Sequence, residues 1–147
     1  MVIERVEREL PFFCEQLFDL VADIERYPEF LPWWISARIQ RRESDTCYVE
    51  QVLGYGPIRM KFTSKAVLQR PVRIDVVSSE PPFRRYNLSM LFTPCTSVGC
   101  SLSIASEMDM ESGLLQKIIN RVLPASIDDI ISAFAARAHS IYGCQHS

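Results

Sequence analysis

The chain is poor in the residues from which most recognisable active sites are built. It has two histidines, His139 and His146, both near the C-terminus. A nucleophile, histidine base and orienting acid therefore have little to be assembled from. His139 lies beside an apolar helix stripe, where a boundary role is the plain reading. Its five glycines form neither a G-x-G-x-x-G nor a G-x-x-x-x-G-K-[ST] loop, so the common nucleotide cradles are absent. Five cysteines, Cys14, Cys47, Cys95, Cys100 and Cys144, make an odd set with no C-x-x-C pair. That fits neither a disulfide framework nor a zinc site, and it predicts reduced thiols in an intracellular protein. Cys144 and His146 would supply two ligands where a functional metal site wants three or four, so no metal is assigned.

Long hydrophobic runs are missing too. No stretch approaches the ~18 apolar residues of a membrane span, and the first ten residues mix acids and bases, unlike a signal peptide. The expectation is a cytoplasmic protein, peripheral at most at the inner face of a membrane, and not secreted. Charge of one sign is scarce as well: the net charge is −2 and the pI about 5.7. Bulk attraction to DNA is thereby excluded, although a local basic patch is not.

What remains is ordinary globular material, 48% hydrophobic and 23% charged over 147 residues, enough for a single domain spanning 1–147 with a frayed tail from about 143. Val2 to Leu10 reads as a strand stopped by Pro11, which cannot continue a ladder. Phe13, Leu17, Leu20 and Val21 then recur at helical spacing. A second short helix is expected to open over Asp23–Tyr27, with Pro28 either interrupting or beginning it, since proline is tolerated in a first turn but not in a helix interior.

Alternation follows. Ile35, Ala37 and Ile39 oppose Ser36, Arg38 and Gln40, and Cys47–Leu53 forms the next run, turned by Gly54-Tyr55-Gly56-Pro57. Ile58, Met60, Phe62, Ala66 and Leu68 share one face against Arg59, Lys61, Thr63 and Lys65 on the other. Val72–Val77, then Tyr86, Leu88, Met90 and Phe92, then Val98 to Met110 complete about six runs after the helices. Their connections are too short for parallel crossovers, so the sheet must be antiparallel. From Gly113 to about Tyr142 the period becomes helical. Its apolar stripe changes phase at Pro124, which predicts a kink or break near Leu123-Pro124.

One segment carries more identity than the rest: Tyr27-Pro28-Glu29-Phe30-Leu31-Pro32-Trp33-Trp34. Its first seven residues resemble the Y-P-x-F-L-P-W segment of the START-like or polyketide-cyclase superfamily, in the branch that holds coenzyme-Q-binding proteins and the bacterial ribosome-association toxin. Phe134-Ala135-Ala136-Arg137-Ala138 resembles that branch's F-x-x-R-A ending, and Phe83, Phe92 and Pro94 stand where it has its P-F and F-x-P motifs. Two positions depart from the pattern: Pro81 replaces a glycine, and Met90 replaces a tryptophan, which frees volume and substitutes a flexible thioether for a rigid ring.

The resemblance implies an α+β helix-grip fold, a curved antiparallel sheet of about seven strands around a long C-terminal helix with two short helices after the first strand. In that architecture the space between sheet and helix is a cavity. The expected lining is Met60, Phe62, Met90, Phe92, Met108, Leu123, Ile127, Ile131 and Phe134, with Phe30, Leu31 and Trp33 at the mouth. The implied function is non-catalytic binding or chaperoning of a hydrophobic ligand, ubiquinone or a related isoprenoid lipid, in support of respiratory electron transport, with no cofactor required. Leu114, Leu115 and Ile118 are the expected points of transient membrane contact.

Two alternatives stand beside this one. Arg59, Lys61 and Lys65 on one outward strand face, with Arg38 and Arg42 on another, would suit the phosphates of a large ribosomal subunit. A cyclase or aromatase acting on a polyketide in the same cavity is the other, but no paired acid and base marks it. Glu107, Asp109, Asp128 and Asp129 read as solvated surface.

Overall fold

In a computed structural model, the chain is described at residues 2–78, 83–95, 99–114, 116–117 and 127–143. Seven strands form one sheet: β1 (Val2–Leu10), β2 (Trp34–Glu43), β3 (Thr46–Tyr55), β4 (Ile58–Gln69), β5 (Arg73–Ser78), β6 (Phe83–Pro94) and β7 (Cys100–Met110). The order is β1-β7-β6-β5-β4-β3-β2 and every pairing is antiparallel. The antiparallel sheet read from the short connections is thus present.

This order places β1 and β2 at opposite edges, so the chain joining them must cross the sheet. It does so as α1 (Cys14–Ala22) followed by a 3-10 helix (Ile24–Glu29). The long terminal helix, α2 (Ile127–Tyr142), buries Ile127, Ile131, Phe134 and Ala138. Recurrence every three to four residues gives α2 one apolar stripe, and the concave sheet face receives it. The Pro124 kink, together with Leu115, Ile118, Leu123, Pro81, Val98, Cys144 and His146, lies outside the described residues.

Two local readings need correction. Phe13 is 42% exposed, whereas Phe12 is fully buried. The helix starts one residue later than its apolar spacing suggested, with the Phe13 N–H donating to Gln16 Oε1 at 3.0 Å, and Phe18 completes the buried stripe instead. Pro28 neither opens nor interrupts its helix but sits inside it. A six-residue 3-10 helix has few hydrogen bonds to lose, and Tyr27 O closes the turn by accepting from the N–H groups of Phe30 (3.2 Å) and Leu31 (2.8 Å).

Side chains lock these elements together. Arg8 on β1 donates to Ser132 Oγ at 2.9 Å, Arg137 on α2 pairs with Glu29 at 2.7 Å, and the Tyr142 hydroxyl donates to Gln16 O at 3.0 Å. The Tyr27 hydroxyl donates to the Val21 carbonyl, coupling the 3-10 helix to α1. Tyr27→Phe therefore leaves a buried carbonyl unpaired, and urea denaturation is expected to show a loss of about 1–3 kcal/mol. His139 packs its ring edge-on against Phe12 with centroids 4.9 Å apart. Cys14, Cys47, Cys95 and Cys100 are free thiols, with Cys14 and Cys100 meeting between α1 and β7.

Candidate functional site: an apolar cavity under the terminal helix

Buried side chains fall into two clusters. The larger gathers α1, the 3-10 helix, α2 and the sheet beneath them. The smaller gathers Met60, Phe62, Phe83 and Met110, with Leu53, Tyr86 and Met108 packed against it. Between them lies a cavity of about 180 Å³ whose walls come from both clusters. Its floor is the concave sheet face, reached by alternate residues of β3, β4 and β6: Val49, Gln51 and Leu53; Met60, Phe62, Ser64 and Ala66; Tyr86, Leu88 and Met90. Ile127, Ile130 and Phe134 of α2 form part of its roof.

Of the expected residues, Leu31, Trp33, Met60, Phe62, Met90, Met108, Ile127 and Phe134 line this cavity. Three others stand elsewhere. Phe92 is buried against Phe18 with ring centroids 5.3 Å apart, because α1 covers that end of β6. Ile131, with no exposure, points into solid core one turn beyond Ile127. Phe30 packs edge-on against Tyr27 and Phe134, while the Arg137 guanidinium lies 5.1 Å from its ring centroid, so it supports the roof from behind. Leu123 lies outside the described residues.

Trp33 adopts φ 69°. A bulky residue in this left-handed region costs on the order of 1 kcal/mol, which the surrounding contacts must offset. Its carbonyl accepts from the Gly54 N–H at 2.8 Å, fixing the segment against the β3 end. Trp33→Gly relieves the strain but removes a half-buried ring from the wall, so a modest loss of thermal stability together with weaker ligand retention is the expected pairing of results.

Sequence reasoning missed the polar residues of the cavity. Gln51 and Ser64 are 8% and 6% exposed, on strand faces that are otherwise apolar. The signal was available: Gln51 alternates with Val49 and Leu53, and Ser64 interrupts the series Met60, Phe62, Ala66 and Leu68. Trp34 Nε1 donates to Gln51 Oε1 at 2.8 Å, and Gln51 Nε2 donates to Ser64 Oγ at 3.1 Å. Burial pushes the Tyr86 phenol up from 10.0 to about 12, and the Tyr27 phenol is raised by the same cause. Both stay protonated at neutral pH. Because the folded state holds these protons more tightly, the Tyr86 contribution is complete below pH 10 and lost as pH rises through about 12, and that of Tyr27 is lost at higher pH still. Urea unfolding at pH 9 and 11 is expected to show lower stability at the higher pH, with a shallower fall in Tyr86→Phe.

The walls contain no carboxylate, histidine, lysine, arginine or cysteine among the described residues. The opposite face of the sheet is different in kind. There Arg41, Lys65, Arg84 and Arg85 border a shallow groove with Tyr48, and the Arg41 guanidinium lies 4.2 Å from the Tyr48 ring centroid. The basic patch expected from sequence is partly neutralised: Lys61 pairs with Glu50 at 3.5 Å, and Arg38 stands opposite Glu50 in the β2–β3 register. Arg84 and Arg85 pair with Asp109 and Glu107, which places those acids on solvated surface.

A family model described as polyketide cyclase / dehydrase and lipid transport matches residues 10–135. Among curated proteins, the ribosome association toxin RatA of Rickettsia prowazekii is 31% identical over 136 residues, covering 90% of this chain and 92% of the relative. The mitochondrial coenzyme Q-binding protein COQ10 of Dictyostelium discoideum is 24% identical over 155 residues, covering 100% of this chain and 74% of the relative. In fold, the crystal structure of TTHA0849 from Thermus thermophilus superimposes with a TM-score of 0.81 at 19% identity, covering 95% of this chain and 98% of that one.

Proposed function

This chain belongs to the family of polyketide cyclases, dehydrases and lipid-transport proteins, and we propose that it holds a hydrophobic ligand, a quinone or related isoprenoid lipid, without transforming it. The cavity carries this reading. A mainly apolar space of about 180 Å³ is large enough for a substituted ring, since a void of about 150 Å³ accepts benzene. It is too small for a long isoprenoid, which must extend past the mouth or widen the space as α2 shifts. Methionines at 60, 90 and 108 suit that adjustment, because an unbranched thioether repacks at little cost. Each Å² of apolar ligand surface removed from water contributes roughly 25 cal/mol, a driving force for capture from a membrane or another carrier. The absence of a carboxylate or histidine among the described walls favours holding over acid–base chemistry.

The coenzyme Q-binding relative supports this ligand class. No described helix is long and apolar enough to cross a bilayer, so contact with lipid would be superficial, and Leu114, 70% exposed, is the described residue best placed for it. The chain's two tryptophans, Trp33 and Trp34, both line the cavity. Titrating the protein with vesicles containing ubiquinone should therefore quench its intrinsic fluorescence to saturation. Quenching that rises linearly without saturating would sink the proposal.

A second reading, association with the large ribosomal subunit, is favoured by the outward groove of Arg41, Lys65, Arg84 and Arg85 beside Tyr48 and by the toxin relatives' name. Its ion pairs are exposed, so each contributes little and RNA phosphates can displace it. The double change Lys65→Glu with Arg85→Glu is expected to abolish salt-sensitive cosedimentation with large subunits if this reading holds. Unchanged cosedimentation, or none by the wild type, rules the groove out.

A further inference from the structure

We propose that Ser64, Gln51 and Tyr86 form a hydrogen-bond-donating receptor inside the cavity, so that the ligand is oxygenated and enters with a carbonyl or ether oxygen directed at the β3–β4–β6 floor. This inference rests on the ligand-holding reading and adds the chemical class of group recognised.

The direction of hydrogen bonding follows from the residue types. An indole N–H can only donate. The 2.8 Å contact from Trp34 Nε1 therefore fixes Gln51 with its oxygen toward Trp34 and its NH2 toward Ser64. At 3.1 Å that NH2 donates to Ser64 Oγ, so the Ser64 hydroxyl is an acceptor in this contact and its own hydrogen must find another acceptor. None is provided by the described residues. One N–H of the Gln51 amide is likewise left over, since an amide has two and Ser64 takes one. The chain Trp34–Gln51–Ser64 is thus polarised, with spare donors at the buried end, where both residues border the cavity.

Tyr86 adds a third donor. Its ring is fixed by Phe83 and Phe62, with centroids 5.1 and 6.5 Å away, and its hydroxyl has no hydrogen-bond partner among the described residues. Tyr86 lies opposite Ser78 on β5 and Met108 on β7 and borders the same space as Ser64 and Gln51. The Tyr86 side chain is half-buried, so its hydroxyl can be hydrated in the empty cavity; a ligand that displaces that water without offering an acceptor leaves the donors unpaired at a cost in free energy, and a ligand oxygen removes that cost. A pure hydrocarbon leaves it in place. Sites that hydrogen-bond a polar group reject the analogue lacking it far more strongly than apolar pockets discriminate by size. The two hydroxyls can accept as well as donate, but the spare Gln51 N–H can only donate and the described walls hold no carboxylate to balance a cation, so neutral ligands bearing acceptor oxygens are preferred over ammonium-bearing ones.

The test compares two probes of similar size, a short-chain ubiquinone and an alkylbenzene of matched length, each measured by calorimetric titration. The wild type should bind the quinone at least about tenfold more tightly. Tyr86→Phe and Ser64→Ala, each checked for folding by circular dichroism, should reduce that preference several-fold while leaving alkylbenzene affinity within about twofold. Tyr86→Phe keeps the ring and its packing, so it serves even if Ser64→Ala unfolds. Equal affinity of the wild type for both probes, or variants that keep the full preference, would overturn the receptor while leaving the cavity reading intact. Failure of the wild type to bind either probe overturns both.

Discussion

Met90→Trp, which takes back the volume freed by the departure from the resembled tryptophan, is expected to lower retention of the ligand this enlarged cavity holds while preserving the fold. Met90 is 7% exposed, sits between Ile74 of β5 and Ile104 of β7 in the register, and borders the cavity. An indole at this position has the void itself to occupy, so the usual penalty of about 1–3 kcal/mol for overfilling a core is largely avoided. The ligand loses the same space. Against a cavity of about 180 Å³, exchanging the thioether for the larger indole removes a substantial part of the room for a quinone ring, and affinity should fall by about an order of magnitude. The check is the amount of quinone co-eluting with each protein after equilibration with vesicles, alongside thermal unfolding. Retention equal to wild type with an unchanged melting temperature would mean that ligand, if any, resides elsewhere.

Phe134→Ala should have the largest effect on stability. Phe134 is 2% exposed and meets Tyr27 and Phe30 edge-to-face, with both centroid separations 5.7 Å. Truncating a buried phenylalanine costs about 3–5 kcal/mol, a large share of the 5–15 kcal/mol that holds a typical domain together. For a chain of this length the melting temperature should drop by roughly 10 °C. Since the removed ring also borders the cavity, the variant gains room, and a bulkier ligand should restore part of the loss by binding only the folded state. A melting curve within about 2 °C of wild type would show that α2 is not held through this residue.

The architecture was legible because it rests on periodicity. Met60, Phe62, Ala66 and Leu68 had to share a face, and short connections forbade parallel crossovers. The resemblance around Tyr27–Trp33 supplied the remaining step, that a helix closes over the sheet. The candidate site was less legible, because a residue's face does not reveal how far along the strand the cover extends. Phe92 shares the face of Met90, yet α1 seals it against Phe18, whereas Met90 meets open space. Ile127 and Ile131 occupy one helical stripe, and only the first reaches the cavity. The polar members were overlooked for a different reason. Attention to apolar runs passes over the residues that interrupt them, and Gln51 and Ser64 are such interruptions.

The central claim is that this cavity holds an apolar, oxygenated ligand. Its most direct measurement is organic extraction and mass spectrometry of the protein purified gently from its native host, with Met90→Trp purified in parallel. The account predicts a quinone or other oxygenated isoprenoid in near-stoichiometric amount from the wild type and little from the variant. An empty wild-type protein that also takes up no quinone from vesicles would contradict it.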